Sequence, residues 1–232
     1  MGLLFSGSGT FRLDIHPASS FSSGRVPLGA MRAALLLALA LVGLAAPARA
    51  EHALHQRACG SPARDGYGAV DAACLNESPA AEWYWAYLDS GRDARDLDVH
   101  VEMGADYFGF AVKWGIDTHF DGWEACAEAC KAYRPTRGAA GFQGLPCNSF
   151  AYCAAALCYS PGEPLGAHKQ GNCWLKFTEG PGSPEVSQRG NLPQAYREAH
   201  ADAPRTVHWV AGVLLPRDVE MREGTWGPRW AS

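Results

Sequence analysis

Residues 118–133 read THFDGWEACAEACKAY, and this stretch organises the rest of the chain. Trp123, Ala127 and Cys130 recur at helical spacing, and Pro135 ends the pattern. Asp121 is the expected cap, with Glu124 three residues later. Cys126 and Cys130 are four residues apart, so on a helix they share one face. Two thiols stacked one turn apart are poorly placed to bond each other, but each can reach a neighbouring strand or loop. The natural partners lie downstream, in Pro146–Tyr152 (PCNSFAY) and Asn172–Lys176 (NCWLK).

Moving outward, Asp106–Trp114 (DYFGFAVKW) has the aromatic and β-branched content of a strand. Ser149–Tyr152 and Cys173–Phe177 (CWLKF) read as short strands, with Lys176 expected to face solvent. Trp114, Trp123 and Trp174 are expected in or near the core. Gly180–Asn191 is a Gly/Pro/Ser loop, Pro193–His200 a short helix, and Val207–Leu215 (VHWVAGVLL) an apolar, buried strand. Before the compact part, residues 82–88 (EWYWAYL) form an aromatic cluster. Its members are expected mainly to pack on the domain, a stacking surface for sugars or protein being the alternative.

The helix with C-x-x-x-C, then Cys147-Asn-Ser-Phe150-Ala-Tyr152, then Cys173-Trp-Leu175-Lys176, resembles the PAN/Apple domain. The resemblance covers roughly residues 104–180. The tail, with Tyr196–His200 and Trp209–Val213, is similar to PAN/Apple proteins of plants and green algae. The resemblance implies an α+β fold: a small, disulfide-rich, curled antiparallel sheet crossed by one helix, here with loop-rich flanking segments. It implies the bridges Cys126–Cys173 and Cys130–Cys147, which tie helix to sheet. The third, end-joining bridge of the Apple form has no clear cysteine pair in this chain. Cys153 and Cys158 read as a local loop staple, which leaves Cys59 and Cys74 by elimination.

All eight cysteines lie beyond residue 58, an even number suited to an oxidising compartment. Residues 31–50 (MRAALLLALALVGLAAPARA) have the form of a secretory signal: Arg32, then 14 residues without a polar side chain, then Ala48-Arg49-Ala50. Cleavage is expected between Ala50 and Glu51. That apolar run is short beside the roughly 20 residues of a spanning helix. Residues 1–30, rich in Ser and Gly, read as a spurious or disordered extension ahead of Met31. The remaining boundaries are a lead segment at 51–103, the PAN/Apple-like domain at 104–180 and an extension at 181–232, whose strand at 207–215 packs on the domain.

The whole chain carries −4, and residues 51–232 carry −7. This balance argues against nucleic-acid partners, which select for a basic stripe. No second stretch is apolar enough to span a membrane. At 47% hydrophobic residues the chain can bury a core, which excludes wholesale disorder.

No catalytic, cofactor or metal residues are assigned. G-x-S-x-G, H-E-x-x-H and C-x-x-C are absent. His52 and His55 are expected to be exposed and mobile beside the cleavage site, and His200 and His208 have no companions at ligand spacing. Asn76-Glu77-Ser78 is a glycosylation sequon weakened by Pro79. The expectation is a secreted, non-enzymatic module that recognises an extracellular protein or carbohydrate through loops Gly138–Leu145 and Ser160–Asn172. The alternatives are a secreted hydrolase with catalytic residues in the flanking segments, and a structural component of the extracellular matrix or cell wall.

Overall fold

The computed structural model describes residues 50–161, 163 and 166–224. The extension 1–30, the signal segment up to residue 49 and residues 225–232 lie outside the described residues.

WVAGVLL is apolar or small at every position, so a strand made from it is stable only when covered on both faces. The chain puts it there. Nine strands form among the described residues: β1 (Asp98–Met103), β2 (Ala105–Tyr107), β3 (Phe110–Lys113), β4 (Ser149–Cys153), β5 (Leu157–Cys158), β6 (His168–Lys169), β7 (Cys173–Phe177), β8 (Val186–Arg189) and β9 (Trp209–Leu215). Five make an antiparallel sheet in the order β1-β9-β4-β7-β3. Every residue of β4 and β9 is buried. Gly212 lies opposite Phe150, whose ring occupies the space a Cβ at residue 212 would need. Strands β2 and β8 form a separate two-stranded ribbon, as do β5 and β6.

The helices within residues 62–224 are α1 (Pro62–Asp65), α2 (Ala72–Asn76), α3 (Pro79–Asp89), α4 (Trp123–Ala132) and α5 (Gln194–Ala199). Helix α4 crosses β4 and β7. It buries Cys126, Ala127 and Cys130 against Phe150, Tyr152, Leu175, Val210 and Leu214. It starts later than its sequence pattern suggests. Its N-cap is Gly122, with no side-chain cap, so Asp121 does not play that part. The cause is tertiary. Residues 118–120 are drawn alongside 171–173, with Phe120 N–H donating to Gly171 O, Cys173 N–H to Thr118 O, and a bridge between His119 and Asn172. Those backbone groups cannot also start a helix.

The aromatic run 82–88 is helical. It begins at Ser78, whose hydroxyl accepts from Ala81 N–H, with Pro79 in the first turn. Tyr84 and Tyr87 are buried beside α4, with Trp83 and Trp85 partly buried against the same cluster.

Alternation along β9 divides the core. Val210 and Leu214 point toward α4, whereas Ala211, Val213 and Leu215 join Leu54, Leu75, Tyr107, Phe177 and Val186. A third cluster gathers Ala151, Cys153, Tyr159, Tyr196, Val207 and Trp209. The first two clusters mix side chains from 51–103, 104–180 and 181–232, and the third joins the last two of these stretches. The strand read as packing on the domain lies inside its sheet, between β1 from the lead segment and β4.

Two expectations fail for one reason: solvent exposure depends on what covers a strand. Lys176 is only 8% exposed, because β2 passes over that side of β7. Its ammonium donates to Asp106 Oδ1 at 2.7 Å and Tyr107 O at 2.8 Å. Trp114, expected near the core, is 60% exposed. It follows β3, an edge strand with no further strand beyond it.

Candidate functional site

Four disulfides hold the scaffold, and they use all eight cysteines. Cys126–Cys173 joins α4 to β7, and Cys130–Cys147 joins α4 to the segment entering β4. Cys153–Cys158 clips the turn between β4 and β5, and Cys59–Cys74 ties the residues ahead of α1 to α2, within the lead segment. Cα separations of 5.3–5.7 Å are normal for such bridges. Four pairs at bonding distance are compatible with an oxidising compartment.

At the edge of this cross-linked sheet, aromatic rings form a row that runs from solvent to interior. Trp114 leads it. Its ring centroid is 5.1 Å from that of Trp174, which is 5.5 Å from His168, which is 5.2 Å from Trp209. All three contacts are edge-to-face, the arrangement the ring quadrupole favours. Trp209 Nε1 donates to Tyr159 O at 2.7 Å, which anchors the inner end. A short 3₁₀ turn, Gly115–Asp117, follows Trp114. Gly115 is required there, since a Cβ would lie 2.1 Å from the Trp174 ring. Ile116, 57% exposed, extends the apolar surface beside Trp114.

The interior behind the row carries unspent polarity. His168 Nδ1 and Nε2, Trp174 Nε1 and Thr118 Oγ1 are buried and make no hydrogen bond among the described residues. His168 is 5% exposed, and burial holds its pKa below the ordinary imidazole value. Glu163 and Asp106 partly offset this, while Lys176 adds to it. Lys113, Asp117, His119, Lys169 and Gln170, on the segments that carry the row, are exposed and engage in no side-chain hydrogen bond or ion pair among the described residues.

The two loops expected to carry recognition differ. Within Ser160–Asn172, whose residues 162, 164 and 165 lie outside the described residues, β6 supplies His168 to the row. Gly138–Leu145 lies elsewhere. Phe142 stacks on Phe110 at 5.5 Å, while Gly144 and Leu145 are buried. Trp114 and Ile116 belong to neither loop. Their exposure follows from the edge position of β3, which no local pattern reveals.

The sequon is structurally engaged. Asn76 Nδ2 donates to Ala72 O and Gly141 O, both at 2.8 Å. Ser78 Oγ is buried and donates to Leu75 O. A glycan on Nδ2 would remove one of the Asn76 donors.

Ala50 is buried, and Glu51 pairs with Arg222 and, at 3.3 Å, approaches His55 Nε2. His55 is not mobile surface: its side chain is 7% exposed, and Nδ1 lies 2.6 Å from Ser183 Oγ. Ser183, His55 and Glu51 therefore follow the order of a hydroxyl–imidazole–carboxylate relay. The surroundings do not complete it. His55 Nε2 and the carboxylate are misaligned for a hydrogen bond, and Arg222 holds that carboxylate. The nearby amides are also committed, Ser183 N–H to Gly180 O and Gly182 N–H to Leu54 O, so neither is free to stabilise an oxyanion. The group acts as a clamp. Glu179 accepts from Ala58 and Cys59 N–H, and Glu185 accepts from Ser61 Oγ, pinning the lead segment to the 180–185 loop.

Among the described residues, no group of His, Cys, Asp and Glu is placed to hold a metal ion. No helix among them is long and apolar enough to cross a membrane. No protein-family model, curated protein or solved structure matches the chain.

Proposed function

We propose that this chain is a secreted, PAN/Apple-like recognition module that binds an extracellular protein or glycan. The observation that carries the reading is Trp114, an indole left largely in solvent on a disulfide-braced sheet edge. Large aromatics are usually well buried, so an exposed one with a braced ring behind it points to an intermolecular contact. Cross-linking supports the same reading, because a rigid surface loses less conformational freedom on binding. The helix-to-sheet bridges and the antiparallel sheet are the arrangement that the family resemblance implies.

The test uses the full secreted protein, immobilised and offered a printed oligosaccharide array and a panel of purified extracellular proteins. The expected result is at least one ligand retained by the wild type and lost by Trp114→Ala. Equal capture by both, or capture of nothing, refutes the proposal. The hydrolase alternative is tested separately with a fluorophosphonate probe. Ser183 is expected to stay unlabelled, and labelling that disappears in Ser183→Ala and His55→Ala would establish an enzyme instead.

A further inference from the structure

We infer that β1 is a dimerisation edge: two copies of this chain pair their β1 strands antiparallel about a two-fold axis at Val101, joining two five-stranded sheets into one. Strand β1 lies at one end of the order β1-β9-β4-β7-β3 and pairs with β9 alone. Gly104 N–H donates to Trp209 O, and these two residues continue the β1–β9 register as directly opposed partners. Along an antiparallel strand, residues bonded to one neighbour alternate with residues whose backbone groups face the other side. Asp98, His100 and Glu102 therefore turn their backbone groups toward β9, and Val99, Val101 and Met103 turn theirs away. Those three outward-facing residues have no backbone hydrogen-bond partner among the described residues.

Free sheet edges are normally guarded by short length, a bulge, Pro or Lys. The opposite edge is guarded in this way: β3 has four residues, its register shifts between Ala111 and Lys113, and Lys113 is exposed. Strand β1 has none of these devices. It has six residues, DVHVEM, and its register with β9 runs unbroken. Its two acids do not guard it either, because the chain's own arginines answer them: Arg189 holds Glu102, and Arg217 approaches Asp98 at 3.5 Å. Val99 and Val101 pack against the α4 cluster, whereas Met103, on the same face, is 66% exposed.

Charge selects both the partner and the register. With the axis on Val101, the outward residues match over the whole strand. Val99 opposes Met103 of the partner subunit and Val101 opposes its own copy, which makes three hydrogen-bonded pairs and about six backbone bonds. The exposed Met103 is then covered by Val99 of the partner subunit. On the other face His100 opposes Glu102 of the partner subunit, so no like charges meet. Moving the axis one residue back sets Asp98 against Glu102 of the partner subunit, and moving it one residue forward sets Glu102 against its own copy. Like charges directly opposed are destabilising. The strand is thus complementary to itself in one register. In the joined sheet both β3 edges stay outermost, which leaves the two Trp114 surfaces facing outward, on the order of 40 Å apart. A dimer of this form is bivalent, and a ligand that repeats its epitope is held by both ends.

The experiment follows the full secreted chain by sedimentation velocity from about 1 μM to about 500 μM, with near-ultraviolet circular dichroism as the folding control. The expected result is a reversible dimer in which the amides of Val99, Val101 and Met103 exchange hydrogen more slowly as concentration rises. Val101→Pro removes the central outward N–H without touching a bond to β9, and it should weaken the dimer at least about tenfold. His100→Glu, which opposes Glu102 of the partner subunit twice, should weaken it by a similar factor, whereas His100→Lys should retain it. Should Val101→Pro fail to fold, the two His100 variants and the three amides decide. A monomer throughout the range overturns the inference. A dimer that both Val101→Pro and His100→Glu leave intact, or one whose concentration-dependent protection misses β1, overturns it equally. Trp114→Ala should leave the dimer unchanged, and its loss there would place the contact at the other edge and overturn the assignment to β1. None of these outcomes depends on a ligand, so the recognition reading stands or falls separately.

Discussion

Removing the Cys126–Cys173 bridge is the most informative perturbation of the scaffold. The two residues are 47 apart, whereas Cys153 and Cys158 are 5 apart. Chain-entropy arithmetic assigns about 4 kcal/mol to the long loop and about 2 kcal/mol to the short one. The loops are nested, however. Cys130–Cys147 and Cys153–Cys158, 17 and 5 residues apart, both lie inside the long loop and shorten it in the unfolded chain. With those bridges intact the effective loop is on the order of 25 residues, which lowers the long-loop value to about 3.5 kcal/mol. All four cysteines are fully or almost fully buried, so the voids left by alanine are similar in both variants and largely cancel. The remaining difference of about 1.5 kcal/mol corresponds to a further drop in Tm of about 3–6 °C for a chain of this size. The assay compares Cys126→Ala/Cys173→Ala with Cys153→Ala/Cys158→Ala by thermal melting and secretion yield. Double replacement avoids a free thiol that would scramble the other bridges. Equal melting temperatures, or greater damage from the short-loop pair, would refute the loop-entropy reasoning. Peptide mapping that joins Cys126 to Cys130 would refute the pairing itself.

Two further outcomes follow from buried polar groups. Lys176→Met should cost about 3–5 kcal/mol, because it leaves the mostly buried Asp106 carboxylate uncompensated, and chemical denaturation should show Lys176→Met/Asp106→Asn recovering much of that loss. His168 has a folded pKa below its unfolded value, so the unfolded state takes up the proton first as the pH falls. Stability should therefore be level above pH of about 6.5 and decline below it until the folded imidazole also protonates. Tm measured against pH should flatten in that window in His168→Gln, and an unchanged slope would show that other groups set the acid response.

The recognition proposal and the scaffold are linked through Trp174. Its neighbour Cys173 is tied to α4, its ring lies on Gly115, and its far side meets His168. Cross-links that hold the helix to the sheet therefore also fix the ring that braces Trp114. Loss of Cys126–Cys173 should loosen the exposed Trp114 surface as well as the core.

Local patterns were enough to read much of this chain. Helical spacing of Trp123, Ala127 and Cys130 predicts α4, and the apolar runs ending in Leu215 and Phe177 predict β9 and β7. Cysteine number and crowding indicate a disulfide-rich α+β scaffold. These features depend on residues within a turn or a strand of one another, so spacing alone expresses them. Other features required the whole fold. Helix α4 begins after Gly122 because residues 171–173 claim the backbone of 118–120. Lys176 is buried because β2, about seventy residues earlier, lies across it. His55 is held by Ser183, on a loop at the other end of the chain. Trp114 and Trp174 are both tryptophans that sequence places near the core, yet only Trp174 has strands on both sides. That difference comes from the order β1-β9-β4-β7-β3, which leaves β3 at the edge. Strand order is set by which distant surfaces bury each other most completely. A side chain's exposure, and with it the candidate site, is therefore decided by neighbours remote in sequence rather than by the residues beside it.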